Sequence, residues 1–290
     1  MKNSASILCL YAVTPCHAGS GASVGVVDLP IQRERHTNWP VIQASGMKGA
    51  LRAHFERFKD SITNKPETET FDKITEIVFG SGTREGDHAG SLSVGDVKIL
   101  AFPMRSNVAP FVWITCPAVL KRLNRVLALT GRDEFDLAAL HSLTTEKALW
   151  VNGPFKQDDR VLLEDMEVAA SGQYPLSETG AAFFQEANRL LVVHDEAFDY
   201  GVSHCTSVMA QIKIDQKTGT TATGSLRYQE ELPADTLMYT VIFWGDARDE
   251  KGSLKAETIR GYIEHEVVSA HIQIGGDETL GRGIFSLTWR

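Results

Sequence analysis

The chain has 290 residues, is 43% hydrophobic and 23% charged, and carries a net charge of −8. These values fit one large folded core and exclude wholesale disorder, and no apolar run approaches the roughly 20 residues that a membrane-spanning helix needs. Four scattered cysteines, Cys9, Cys16, Cys116 and Cys205, form no C-x-x-C pair, which argues against a zinc site and for reduced thiols in a cytoplasm.

The net charge hides an asymmetry. Residues 1–60 carry seven Lys/Arg against four Asp/Glu, while the remaining residues carry 22 against 33. Acidity overall argues against nucleic acid, but a local basic segment near the N-terminus argues for it.

In chain order, MKNSASILCLYAVTPCHAG has the outline of a weak signal peptide. Its apolar part, residues 7–13, is short and contains Tyr11, and it reads as a buried strand closed by Pro15. Residues 16–38 lack periodicity and read as a long loop, a length that is usually functional inside a compact domain. Ser45 is placed to cap a helix over 47–59, with Met47, Leu51, His54, Phe55 and Phe58 on one stripe. Residues 60–90 are polar and irregular, with a loop at 81–90. Strands are predicted at 92–101 and 111–115, and Pro117 opens a helix through 129. A helix at 178–190 and a strand at 191–194 follow. Residues 202–230 alternate around QKTG and predict a long β-hairpin. A buried strand at 238–244, a helix at 254–267 and strands at 270–274 and 283–289 complete the chain. This mixed order predicts an α/β (α+β) fold.

Three stretches could carry chemistry. The loop from His17 to Arg35 holds Gly19, Gly21 and Gly25, which let backbone approach a ligand, and Arg33 and Arg35, whose forked donors suit phosphate. A plain surface loop with solvated arginines would look similar. In SGMKGALRAHF, Lys48 and Arg52 are four apart on the first turns of a helix, where the dipole also attracts phosphate. It is not a Walker loop, since G-x-x-x-x-G-K-[ST] is absent. The third, IGGDETLGRGIF, joins two strands, so it is not a dinucleotide-binding turn. With Gly276 and Arg282 it suits a nucleic-acid backbone. Glu230 and Glu231 are adjacent in a predicted strand and point to opposite faces, which disfavours a site built on that pair alone.

Taken jointly, TPCHAGSGASVGVVDLPIQRERHTNWPVIQASGMKGALR, GSLRYQEELPADTLMY and GGDETLGRGIF closely resemble the backbone subunit of type III-B CRISPR effector complexes, a branch of the RAMP superfamily. The resemblance covers both ends and the hairpin region but not residues 60–200. It implies a single domain over 1–290 with a ferredoxin-like, RRM-like palm, helical insertions, an insertion at about 60–90 and a protruding β-hairpin thumb at about 202–235. It implies copies of the chain stacked in a helical filament along a CRISPR guide RNA, with other subunits of the complex and a single-stranded target RNA as partners and no membrane. Asp28 is then the catalytic aspartate, also the metal ligand for a divalent ion (Mg or Mn) bound mainly with RNA. His17, Tyr228 and Glu230 could assist catalysis. Arg33, Arg35, Lys48, Arg52, Gly276 and Arg282 would bind RNA. RNA supplies its own nucleophile, the 2′-OH, so alignment and a proton acceptor suffice. Two other readings stay open: a scaffold that binds guide RNA without cutting, and a small-molecule enzyme with a glycine-rich phosphate loop.

Overall fold

The computed structural model describes residues 5–21, 26–81, 88–248 and 254–290. Gly25 of the N-terminal loop and residues 82–87 of the polar loop lie outside the described residues. In chain order the elements are β1 (Ala5–Ala12), β2 (Val41–Ile42), α1 (Ala44–Phe58), α2 (Phe71–Phe79), β3 (Leu92–Val94), β4 (Val97–Arg105), β5 (Phe111–Thr115), α3 (Pro117–Thr130), β6 (Lys147–Trp150), β7 (Asp159–Leu163), β8 (Met166–Gln173), α4 (Glu178–Phe183), β9 (Leu190–Val193), α5 (Asp195–His204), β10 (Ser207–Gln211), β11 (Arg227–Glu231), β12 (Leu237–Trp244), α6 (Ala256–Gly261), β13 (His271–Gln273) and β14 (Ile284–Trp289).

The apolar run of β1 is buried at every position but Tyr11, as befits a central strand covered on both faces. It pairs antiparallel with β14 on one side and β12 on the other, and β12 pairs antiparallel with β4. The chain order β1-α1-β4-β12-α6-β14 with the spatial order β14-β1-β12-β4 is the βαββαβ arrangement of a ferredoxin-like, RRM-like palm. Beyond β4 the same sheet continues through β5, β9, β6, β8 and β7, and β13 lies outside β14. The long insertion between β4 and β12 thus extends the palm sheet.

Helix α1 faces the core with Met47, Leu51 and Phe55, all fully buried at four-residue spacing. Truncating any of them to alanine should cost about 2–5 kcal/mol. Its N-cap is Gln43, not Ser45, and Gln43 makes no side-chain cap. The first free amide, that of Ala44, donates instead to Asp96 Oδ1 at 2.8 Å, from the turn between β3 and β4. A cap supplied from 52 residues away leaves no local signature, so the start was misplaced. That turn also splits the strand expected at 92–101, because the Gly95 amide and carbonyl bond Val241 and Thr240 of β12. The helix expected at 178–190 ends at Phe183, where Phe184 leaves helical geometry (φ −115°, ψ 21°) and is buried with Phe183 around Phe135. The helix expected at 254–267 is α6 followed by a π-helical turn at Tyr262–Val267.

Strands β10 and β11 form a separate antiparallel ribbon, from Ser207↔Glu231 to Gln211↔Arg227, continued by an Ile214↔Thr221 bridge. The tip turns at Gly219 (φ +69°), whose amide donates to Asp215 O. Residues 202–204, predicted as strand, finish α5. The ribbon leaves Val208, Met209, Ile212, Ile214, Leu226 and Tyr228 exposed, an unusual concentration of apolar side chains outside the core. Among the described residues, no helix is long and apolar enough to cross a membrane.

Candidate nucleic-acid interface and catalytic loop

The loop after β1 is held along its length by two other segments. Cys16 and Leu232 exchange backbone bonds at 2.9 and 2.8 Å, just beyond β11. The Gly276 amide donates to His17 O at 2.9 Å, and the Gly283 amide donates to Pro15 O at 2.8 Å. The loop folds back on itself through Ser20 N to Pro30 O and Gln32 N to Ala18 O. So three segments on which the family resemblance rests meet: the N-terminal loop, the return strand of the hairpin and the glycine-rich turn. Two glycines are obligatory here. At Gly275 (φ +90°) a Cβ would lie 2.5 Å from His17 O, and at Gly283 (φ +73°) it would lie 1.9 Å from Ile274 O.

Asp28 sits against β11. Its Oδ2 accepts from the Tyr228 amide at 2.7 Å. Next to it, Leu29 N donates to Tyr228 O at 3.0 Å and Glu230 N donates to Leu29 O at 2.9 Å, a short parallel pairing. Asp28 Oδ1 has no hydrogen-bond partner among the described residues. His17 Nδ1 lies 2.8 Å from Glu230 O. A carbonyl only accepts, so Nδ1 carries the proton and Nε2 is the nitrogen left for other work. Nε2 stands so close to Gly19 that a Cβ there would lie 2.7 Å from it. The same strand therefore holds both Asp28 and His17 by its backbone.

Glu230 and Glu231 do diverge. Glu230 turns to the N-terminal loop: Oε2 accepts from Ile31 N at 3.0 Å, and Oε1 accepts from Arg33 Nη2 at 2.6 Å and Thr206 Oγ1 at 2.7 Å. Burial alone would raise its pKa, but the bonds from Arg33 and Thr206 outweigh burial and hold it below the ordinary value. Glu231 turns the other way and accepts from Arg282 Nε at 3.0 Å. Gln229, just before them, donates to Asp277 Oδ2 at 2.5 Å.

The basic residues divide. Arg33 is largely buried and donates to Asn38 O, Val202 O and Glu230, so its guanidinium is engaged inside the protein and is not presented to a phosphate. Arg282 is half-committed to Glu231, and Arg52 to Glu56 at 2.9 Å. Arg35 is exposed and makes no hydrogen bond or ion pair among the described residues. Lys48 has its pKa lowered first by burial and then by the nearby positive charges of Arg248 and Arg52. Cations gathered in this way favour an anion between them.

The fit of a divalent cation can be judged from the donors. Among the described residues, no three His, Cys, Asp or Glu side chains stand together as a metal-binding group. Glu230 has both oxygens occupied, and Asp28 offers Oδ1 alone. These residues do not make a resident metal site of their own; a cation here would have Asp28 as its single protein ligand and RNA phosphates as the rest.

A model of the RAMP superfamily matches residues 9–286. The chain belongs to the RAMP superfamily. Within it, the chain is similar to a Pyrococcus furiosus protein named CRISPR system Cmr endoribonuclease Cmr4, at 34% identity over 96% of this chain and 93% of that one. The crystal structure of oligomeric Cmr4 from Pyrococcus furiosus superposes with a TM-score of 0.68 at 25% identity, covering 99% of this chain and 98% of that one. A chain in the cryo-EM structure of the type III-B Cmr-beta complex bound to cognate target RNA shares the fold, with a TM-score of 0.75 at 22% identity over 98% of this chain and 96% of that one.

For this RAMP protein, sequence reasoning missed the residues that hold the site together. Thr206, the Ile31 amide, Asp277 and Asp96 each act through contacts with distant segments, and a lone Thr or Asp in a loop carries no signal of them. Arg248 lies in an unremarkable acidic stretch and gains meaning only beside Lys48 and Arg52.

Proposed function

We propose that the chain is a guide-RNA-binding subunit of a type III-B CRISPR complex that cleaves bound complementary RNA as an endoribonuclease, with Asp28 as the catalytic group. The observation that carries this reading is Asp28 itself: one oxygen is pinned by the Tyr228 amide on the return strand of an exposed hairpin, and the other has no partner among the described residues. Kinship with a protein named an endoribonuclease gives that carboxylate its substrate class.

The chemistry asked of the protein is small. The 2′-OH of the target gives its proton to Asp28 Oδ1, and its oxygen bonds the adjacent phosphorus. The P–O5′ bond breaks, leaving a cyclic phosphate on one product and a 5′ oxygen that takes up a proton on the other. Water supplies that proton, since His17 Nε2, with the ring proton on Nδ1, is an acceptor and would assist on the base side of the reaction. The hairpin, with its exposed apolar side chains, would open the guide–target duplex, freeing one sugar–phosphate to align with Asp28. A magnesium or manganese ion, held mainly by RNA, would supply charge neutralisation at the phosphate. Lys48, Arg52, Arg35 and Arg282 would grip the guide RNA, so that a chain of net charge −8 would bind it through a few local cations, whereas the Gly276 amide, expected to contact RNA, is already given to His17 O. Copies of the chain would stack along the guide as a filament, alongside other subunits, in the cytoplasm.

A second reading, a guide-binding scaffold without nuclease activity, is favoured by one observation: Glu230, the carboxylate on the strand that holds Asp28, has both oxygens bonded and is not a free partner for it. The test is a complex reconstituted with guide RNA and end-labelled complementary target. Cuts at regular intervals support the nuclease; binding without cuts supports the scaffold.

A further inference from the structure

The attachment of Asp28, by its carboxylate, and of Leu29, by its backbone, to β11 is reinforced by a single side chain. Glu230 receives three donors from two separate parts of the protein. Ile31 N and Arg33 lie three and five residues beyond Asp28, and Thr206 stands at the root of the hairpin just after α5. Arg33 extends the link by donating to the Val202 carbonyl of α5 at 2.9 Å. A carboxylate bonded in this way cannot take a proton from substrate or bind a cation without first releasing the loop. We infer that Glu230 is a positioning residue for cleavage: through Ile31, Arg33 and Thr206 it locks the Asp28 loop to the hairpin root and sets where Asp28 stands. The inference rests on the reading of Asp28 as the catalytic group. It follows that hairpin and catalytic loop move as one body, so a duplex that engages the hairpin also places Asp28.

The test compares Glu230→Gln, Arg33→Gln, Thr206→Val and the double variant Arg33→Gln/Glu230→Gln in single-turnover cleavage by the reconstituted complex. Each of the three should slow cleavage, Glu230→Gln by on the order of tenfold to a hundredfold. The double variant should be no slower than the slower of its two singles, because both break one unit. The pH dependence of the residual cleavage should keep its shape, since the titrating group is elsewhere. Two results would overturn the inference: Glu230→Gln as inactive as Asp28→Asn while Arg33→Gln and Thr206→Val cut at the wild-type rate, or all variants cutting at that rate. Hydrogen exchange on the purified chain gives a readout without activity. Amides of residues 28, 29 and 31–33 should exchange faster in Glu230→Gln and Thr206→Val, and unchanged exchange would refute the clamp. If the wild-type complex does not cut at all, the nuclease reading fails, and the exchange result still decides whether the clamp exists.

Discussion

The carboxylate of Asp28 accepts a 2.7 Å hydrogen bond from the backbone amide of Tyr228, 200 residues away in the chain. The donor is the amide and not the exposed ring, so the two can be separated by substitution. Tyr228→Phe should leave cleavage near the wild-type rate. Tyr228→Pro removes the donor and should slow cleavage by on the order of tenfold or more, as expected for the loss of one aligning bond. Rates from a reconstituted complex, with guide-RNA affinity measured in parallel, check both.

Backbone-phosphate contacts predict a distinct binding signature. Alanine at Lys48, Arg52 or Arg35 should weaken affinity for all RNA sequences about equally and lower the salt slope by roughly one contact or less. Filter binding or anisotropy over a salt series reads this. Arg33→Ala should behave differently, because Arg33 is engaged inside the protein: its main effect should be on stability and cleavage, with little change in salt slope.

The glycine-rich turn should tolerate little. Gly283→Ala places a Cβ at a positive φ and 1.9 Å from a backbone oxygen, so the turn must move. A stability loss above about 1 kcal/mol is expected, measured as a lower melting temperature. Gly281 has a similar φ but no atom near a would-be Cβ, so Gly281→Ala should cost less.

Glu230 makes stability depend on pH in a defined direction. Its pKa in the folded protein is lowered from the ordinary 4.5, because the bonds from Arg33 and Thr206 outweigh the opposing effect of burial. A lowered folded pKa means that the contribution is full above 4.5 and is lost as pH falls through the lowered value. Thermal melts from about pH 6 to about pH 3 should show wild type more stable than Glu230→Gln at the upper end, with the gap closing toward the lower end.

Many single elements were legible in the sequence because their signals are local. The apolar run of β1, the Met47-Leu51-Phe55 stripe, Pro117 at the start of α3 and the QKTG turn each reflect a rule that acts over a few residues. The sheet order was not legible, since β1 meets β12 and β14 across more than 220 residues. For the site, the family resemblance could nominate His17, Asp28, Tyr228 and Glu230 but not separate their duties. Nothing in QEE tells that the Glu230 carboxylate is enclosed by three donors while Glu231 faces Arg282. Nor could Arg33 be told from Arg35: two residues apart in one loop, one is internal and the other exposed.

The central claim is that Asp28 performs the cut, and Asp28→Asn tests it most directly. The amide can still accept from Tyr228 N through its carbonyl oxygen, so the loop and nearly all RNA affinity should survive. It cannot take a proton and is a poor ligand for a hard cation. The measurement is cleavage of complementary RNA by the reconstituted complex with magnesium or manganese, with a substrate carrying 2′-deoxy at the cut position as control. The account predicts that Asp28→Asn binds target but does not cut, and that wild type binds the deoxy substrate without cutting at that position. Cleavage by Asp28→Asn at the wild-type rate would contradict it.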